Sequence, residues 1–194
     1  MNDQGQSSTR SPMRSQTIAV FGSSQPQPGS PLYNEAFDIG RRLAQAGFIV
    51  MTGGYGGTMA AASQGAHDAG GHVIGVTLDI FDPRPPNQWV KEETKYPGFS
   101  ERLRHLTEMA DGFVVLRGGI GTLTELFFTW GLMQTGAIRP PKPIVLLGQP
   151  WRRLFTLLRE DEFLIHDNYY GLIQWAQSPA EAVYELQEAL RREA

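Results

Sequence analysis

An α/β fold, a Rossmann-like doubly wound parallel sheet in a single domain, is predicted by three observations. Short apolar runs alternate with amphipathic stretches of helical period along the chain. Three of those runs open into glycine-bearing turns, after Phe21, Met51 and Leu116. Strand followed by helix, repeated, leaves room only for parallel pairing with helices packed on both faces.

The elements follow in order. Thr17 to Phe21 (TIAVF) is an apolar strand that runs into Gly22-Ser23-Ser24 and a loop with proline and glycine ending at Pro31. Asn34 to Ala46 is a helix with Ala36, Phe37, Ile39, Leu43 and Ala44 on one face, closed by Gly47. Phe48 to Met51 is a second strand, followed by Thr52-Gly53-Gly54-Tyr55-Gly56-Gly57-Thr58 and an alanine-rich helix from Met59 to Ala69. Val73 to Val76 is a third strand. Thr77 to Phe99, with four prolines, Trp89 and Tyr96, carries no periodic pattern and is expected to be a long irregular segment, the kind that serves function. Trp89 and Tyr96 are expected to be either core anchors or a lid. Glu101 to Met109 is a helix, Phe113 to Leu116 a fourth strand, Leu123 to Gln134 its helix and Pro143 to Leu147 a fifth strand. Trp151 to Leu158 is amphipathic. Ser178-Pro179-Ala180-Glu181 opens the last helix, with serine as N-cap, proline in the first turn and glutamate at N3; it runs to about Arg192.

Composition narrows the function classes. The chain has 194 residues and a net charge of −3, without the basic excess of a general nucleic-acid binder. It has no cysteine, so disulfides, thiolate catalysis and thiolate metal sites are excluded. The four histidines show no metal-ligand spacing, and no metal or other cofactor is expected. No apolar run reaches the ~18 to 20 residues needed to span a membrane. Residues 1–16 are polar, with neither the apolar core of a secretory signal nor a helical pattern, and are expected to form a disordered tail ahead of a domain over 17–194. A cytoplasmic protein is expected.

The stretch Leu116 to Glu125 (LRGGIGTLTE) carries the most chemistry. Three glycines and a threonine in a strand-to-helix turn direct unpaired backbone N–H groups, at the positive end of a helix, toward the space above. That is an outline of a phosphate site, and Glu125 lies beside it. In doubly wound sheets such turns converge where strand order reverses. Neither glycine turn is a P-loop, since no Gly-Lys-Ser/Thr follows, and Gly53 to Gly57 lacks the dinucleotide spacing. Glu125 also has a second reading: Thr122-Leu123-Thr124-Glu125 fits a capping box. Arg117 reads either as a structural ion pair or as a phosphate ligand. Arg102 and Arg104 would ordinarily be solvated.

Taken together, Phe21-Gly22-Ser23-Ser24, Thr52 to Met59 (TGGYGGTM) and Gly118 to Glu125 (GGIGTLTE) resemble the LOG-type family, also labelled lysine decarboxylases, whose characterised members are nucleoside 5′-monophosphate phosphoribohydrolases that release cytokinins. The resemblance runs from Thr17 to the last helix. The final stretch matches the family pattern PGGxGTxxE everywhere except its first position, which is Arg117. The resemblance implies catalytic roles for Glu125 and Arg102, the latter by ungapped counting back from the glycines. It implies a pocket formed by Gly22, Ser23, Ser24, Gly53, Gly54, Gly118, Gly119, Gly121 and Thr122, a purine nucleoside monophosphate as ligand, and a homodimer. The family's lysine after the arginine is Leu103 here. A decarboxylase using pyridoxal phosphate would need a lysine at the site. Lys91 and Lys95 lie in the polar run KEETK and Lys142 between prolines, none adjoining a glycine turn.

The implied activity is cleavage of the bond between purine and ribose 5′-phosphate. The Gly118–Thr122 turn would anchor the phosphate, and the Glu125 carboxylate would serve an oxocarbenium-like transition state. The competing class is a module that binds a nucleotide or a phosphorylated cofactor, such as molybdenum cofactor, without turnover. Leu103 and Arg117 are the features that favour it.

Overall fold

The computed structural model of the protein describes residues 15–160, 163 and 165–192. The expected N-terminal tail lies outside these residues save for Ser15 and Gln16. The backbone carbonyl of Gln16 already accepts a hydrogen bond from Ile49 N–H at 2.9 Å.

Seven parallel strands form one sheet in the order β4-β3-β2-β1-β5-β6-β7. They are β1 Thr17–Phe21, β2 Ile49–Thr52, β3 Val73–Leu78, β4 Glu92–Tyr96, β5 Gly112–Val115, β6 Ile144–Leu147 and β7 Ile173–Ala176. The helices are α1 Pro31–Gln45, α2 Thr58–Asp68, α3 Phe99–Met109, α4 Ile120–Gln134, α5 Gln149–Glu160, the short α6 Asp167–Tyr170 and α7 Pro179–Arg192. The Rossmann-like α/β class is as expected. β1 pairs with β2 on one side and β5 on the other, Ala19 facing both Met51 and Phe113. Strand order reverses at β1, and the turns after β1 and β5 part there to opposite faces of the sheet.

Alternation along β1 divides the core. Ile18 and Val20 join the α1, α2 and α7 side chains Ile39, Leu43, Ala62 and Leu186 on one face. Ala19 and Phe21 join Leu106, Leu126, Trp130 and Phe155 from α3, α4 and α5 on the other. Such strands, buried on both faces, read as continuous apolar runs. Trp130 therefore belongs to the core, while Phe127 at its side remains partly exposed.

Two strands and the short helix α6 were absent from the sequence reading. β4 (EETKY) lies inside the segment expected to be irregular. It is the sheet edge, paired only with β3, and its charges fit an edge that must not recruit another strand. That same polarity erases the apolar signal. β7 (IQWA) is short and follows a four-residue helix, which hides its period. α4 starts three residues earlier than its apolar spacing suggests. Its N-cap is Gly119, so Glu125 lies well past N3 and the capping-box reading fails. At α7 the serine half of the expected capping box forms, Ser178 Oγ accepting from Glu181 N–H at 3.2 Å, while the Glu181 carboxylate reaches one residue further back and accepts from Gln177 N–H at 2.7 Å.

Close packing of α1 on α2 rests on two glycines. A Cβ on Gly65 would lie 2.0 Å from the Phe37 carbonyl oxygen, and one on Gly40 would lie 1.9 Å from that of Ala62. Backbone cannot yield as a side chain can. Gly65→Ala is expected to destabilise the fold by roughly 1–3 kcal/mol, seen as a lower urea midpoint with an unchanged slope.

Candidate functional site at the switch point

A cavity of about 430 Å³ opens where the turns after β1, β2 and β5 meet. Gly22, Ser23 and Ser24 line it from the first turn, and Gly119, Gly121, Thr122 and Glu125 from the start of α4. Arg102 enters from α3. Gly53, Gly54 and Gly118 do not line it, although each shapes it. A Cβ at Gly53 would lie 2.2 Å from Arg102 Nη2, and one at Gly118 would lie 2.0 Å from Thr122 Oγ1. Gly54 has a φ of +79° and turns the chain back under the loop after β3. These glycines make room for the protein's own groups. Gly119 and Gly121 differ, since a Cβ on either would meet nothing within 4 Å. No side chain caps α4. The first turn of α4, with the N–H groups that a helix start leaves unpaired, therefore borders the cavity.

Arg102 and Glu125 form the chemical centre. Both are buried, at 6% and 8% exposure. Arg102 Nε donates to the Val76 carbonyl at 2.7 Å, which ties α3 to β3. Its Nη1 lies 3.6 Å from Glu125 Oε1, an ion pair too long for a direct hydrogen bond. Thr107 and Thr129, whose hydroxyls meet at 3.1 Å, hold the two helices in register one turn along from Arg102 and Glu125. Burial raises the Glu125 carboxyl and the Arg102 charge draws it back, leaving it at about 7. Burial likewise lowers Arg102, opposed first by Glu125. A carboxyl poised near neutrality beside a fixed cation, in a cleft next to a helix N-terminus, is a combination of the kind found at functional sites.

The two positions that depart from the family pattern both lie off the cavity lining. Leu103 is buried on the other side of α3. Arg117 pairs with Glu35 of α1 at 3.7 Å, so of its two readings the structural ion pair is the one formed. Arg104 pairs with Glu108 on the exposed face of α3. Tyr96 is an anchor, its hydroxyl bonded to His105 Nδ1 at 2.7 Å, and neither it nor Trp89 lines the cavity. The lining contains residues that the sequence reading did not single out: Tyr55, Met59, Leu78, Phe81, Arg84 and Phe99. The available signal was the unusual length of the segment after β3. Among the described residues no cluster of three metal-ligating side chains occurs. No helix among them is long and apolar enough to cross a membrane.

The model of the family described as "Possible lysine decarboxylase" matches residues 59–186. The cytokinin riboside 5′-monophosphate phosphoribohydrolase LOG of Oryza sativa subsp. japonica is 31% identical over 184 residues, covering 90% of this chain and 74% of that protein. The chain belongs to this family. A second LOG protein, LOG7 of Arabidopsis thaliana, is 32% identical over 183 residues, covering 90% of this chain and 82% of its own. Among solved structures, the molybdenum cofactor carrier protein of Chlamydomonas reinhardtii superposes with a TM-score of 0.71 at 26% identity, covering 92% of this chain and 99% of that one. The molybdenum cofactor binding protein of Rippkaea orientalis superposes at 0.73 with 22% identity, covering 91% and 98%.

The Glu125 shift sets a pH dependence of stability. Its folded pKa lies above the unfolded value, so its contribution is full below about pH 4.5 and is lost as pH rises through about 7. Between pH 5 and pH 8 the melting temperature is expected to fall, with this group responsible for roughly 5 °C. The Glu125→Gln variant, which has no proton to lose, should lack that component in differential scanning calorimetry.

Proposed function

We propose that the protein hydrolyses the N-glycosidic bond of a purine nucleoside 5′-monophosphate, giving free base and ribose 5-phosphate. The observation that carries the reading is the buried Arg102–Glu125 pair at the edge of the uncapped α4 N-terminus. The phosphate sits on the Gly119–Thr122 N–H groups, assisted by the Thr122 hydroxyl. This anchors the end of the substrate remote from the reacting bond and orients the sugar. Glu125 lines the cavity and its contact with Arg102 is long, 3.6 Å, so its carboxylate is available to the ribose or to the attacking water. As the bond from C1′ to the base lengthens, positive charge develops on the sugar and the carboxylate stabilises it. Water adds at C1′, and the base leaves with a proton. Arg102 favours the ionised form of Glu125 against the effect of burial and orients it.

Incubation with AMP and with N6-isopentenyl-AMP, followed by chromatography, should show free base together with ribose 5-phosphate. Absence of release from every purine nucleoside monophosphate would sink the reading. Glu125→Ala and Arg102→Ala are expected to lower kcat at least ~100-fold with the circular dichroism spectrum retained. In wild type, kcat/KM should rise with pH to a plateau above about 7, because the ionised carboxylate is the active form. Arg102→Ala removes the charge that lowers the Glu125 carboxyl, so the residual activity should shift its rise to higher pH.

Binding without turnover of a phosphorylated cofactor is the second reading. It is supported by the likeness to molybdenum cofactor carriers and by the replacement of the family lysine and proline with Leu103 and Arg117. A ligand that raises the melting temperature and is recovered intact after hours at 37 °C would decide for it. A homodimer is also proposed, supported by exposed apolar residues at the cavity rim, Ile120 and Phe99, and checked by light scattering.

A further inference from the structure

The cavity has a wall that the hydrolytic chemistry leaves unused. It is built on Tyr55, which lines the cavity from the turn after β2. The Tyr55 hydroxyl donates to the Leu78 carbonyl at 3.1 Å and accepts from Leu78 N–H at 2.8 Å. That double bond fixes the ring at the point where the loop after β3 begins. Phe81 then meets the ring edge-on, with centroids 5.3 Å apart at 86°. The Arg84 guanidinium lies 5.2 Å from the centroid of the same ring. Asn87 fastens the loop, donating from its side chain to the carbonyls of Gly54 at 3.1 Å and Tyr55 at 3.0 Å. Lys95 holds Asp82 at 2.7 Å.

Arg84 pairs with no carboxylate among the described residues. Glu125 is the one acidic side chain of the lining, and Arg102 faces it. Phe81 and Phe99 present half-exposed rings to the same space, at 49% and 48% exposure. The wall thus combines apolar faces for a flat ring with a planar group that only donates hydrogen bonds. We propose that Arg84 reads the edge of the bound base and selects a 6-oxopurine over a 6-aminopurine. A 6-oxopurine offers two adjacent acceptors, O6 and N7, which match the paired N–H groups of a guanidinium. A 6-aminopurine sets an N–H donor against the guanidinium, and no acidic side chain of this wall accepts it. Cation–π contact with Tyr55 leaves the in-plane N–H edge of Arg84 free for this task.

This assignment rests on the reading that a purine nucleotide fills the cavity. Its test is calorimetric binding of GMP, IMP, AMP, N6-isopentenyl-AMP and ribose 5-phosphate in the Glu125→Gln background, where the proposed cleavage is blocked. Thermal shifts of the wild-type protein with the same compounds provide a second measurement. GMP and IMP should bind at least 10-fold more tightly than AMP. Arg84→Met should weaken GMP and IMP roughly 10- to 100-fold while changing AMP less than about 3-fold and ribose 5-phosphate not at all. Equal or tighter binding of AMP or its N6-substituted form overturns the assignment. So does an Arg84→Met variant that weakens every compound alike, ribose 5-phosphate included, since that makes Arg84 a phosphate contact. If the GMP preference holds but no nucleotide is cleaved, the hydrolase reading falls and base selection stands. Cleavage with AMP preferred does the reverse, and no nucleotide binding at all overturns both.

Discussion

The ion pair between Arg102 and Glu125 joins two helices and, through Arg102, the strand β3 at the rim of the cavity. Arg102 sits on α3, Glu125 on α4, and the guanidinium also bonds the end of β3 and fills the space that Gly53 leaves open. Removing either charge would leave the other buried without a partner, which is costly in a low-dielectric interior. Yet the pair is not optimised for stability. At 3.6 Å it is long, and burial keeps Glu125 near neutrality instead of in the ordinary carboxylate range. A structure that tolerates a strained carboxyl at its switch point retains a group able to change charge or engage a ligand at physiological pH.

Around that pair, glycine has two different uses. At Gly22, Gly53 and Gly118 the missing Cβ admits a neighbouring side chain, Thr58, Arg102 or Thr122. At Gly119 and Gly121 it admits nothing from the protein and leaves the start of α4 bare. The first group lets three turns converge tightly. The second keeps N–H groups accessible to an anion. Without the tight convergence, the start of α4 would lie farther from the turns after β1 and β2.

The family pattern and the geometry bear differently on the two departures. Leu103 and Arg117 look in the sequence like changes within the site. In the folded chain Leu103 faces the core, and Arg117 bonds Glu35 of α1. Each is adjacent in sequence to a lining segment but points off it, since neighbouring helical residues differ by about 100° in direction and turn residues alternate.

Much of the fold was legible without coordinates. Continuous apolar runs for the doubly buried strands and periodic ones for the helices define the alternation that dictates a parallel sheet, and the glycine turns mark its working end. Arg102 and Glu125 were legible as candidates as well, because the resemblance sets their distances from those glycines. What lacked a local signal was β4, whose edge position favours charges over apolar residues, and β7, too short to show a period. The same holds for the wall of Tyr55, Phe81, Arg84 and Phe99. Those residues come from the turn after β2, the loop after β3 and the first turn of α3, and no spacing relates them. The sequence alone determined the alternation of elements and a glycine-rich helix start with an acid in the same helix. Only the tertiary structure decided that the acid is buried against Arg102 rather than spent as a helix cap, and which glycines face the cavity. Burial and long-range contact are properties of the packed chain, and no pattern of neighbouring residues encodes them.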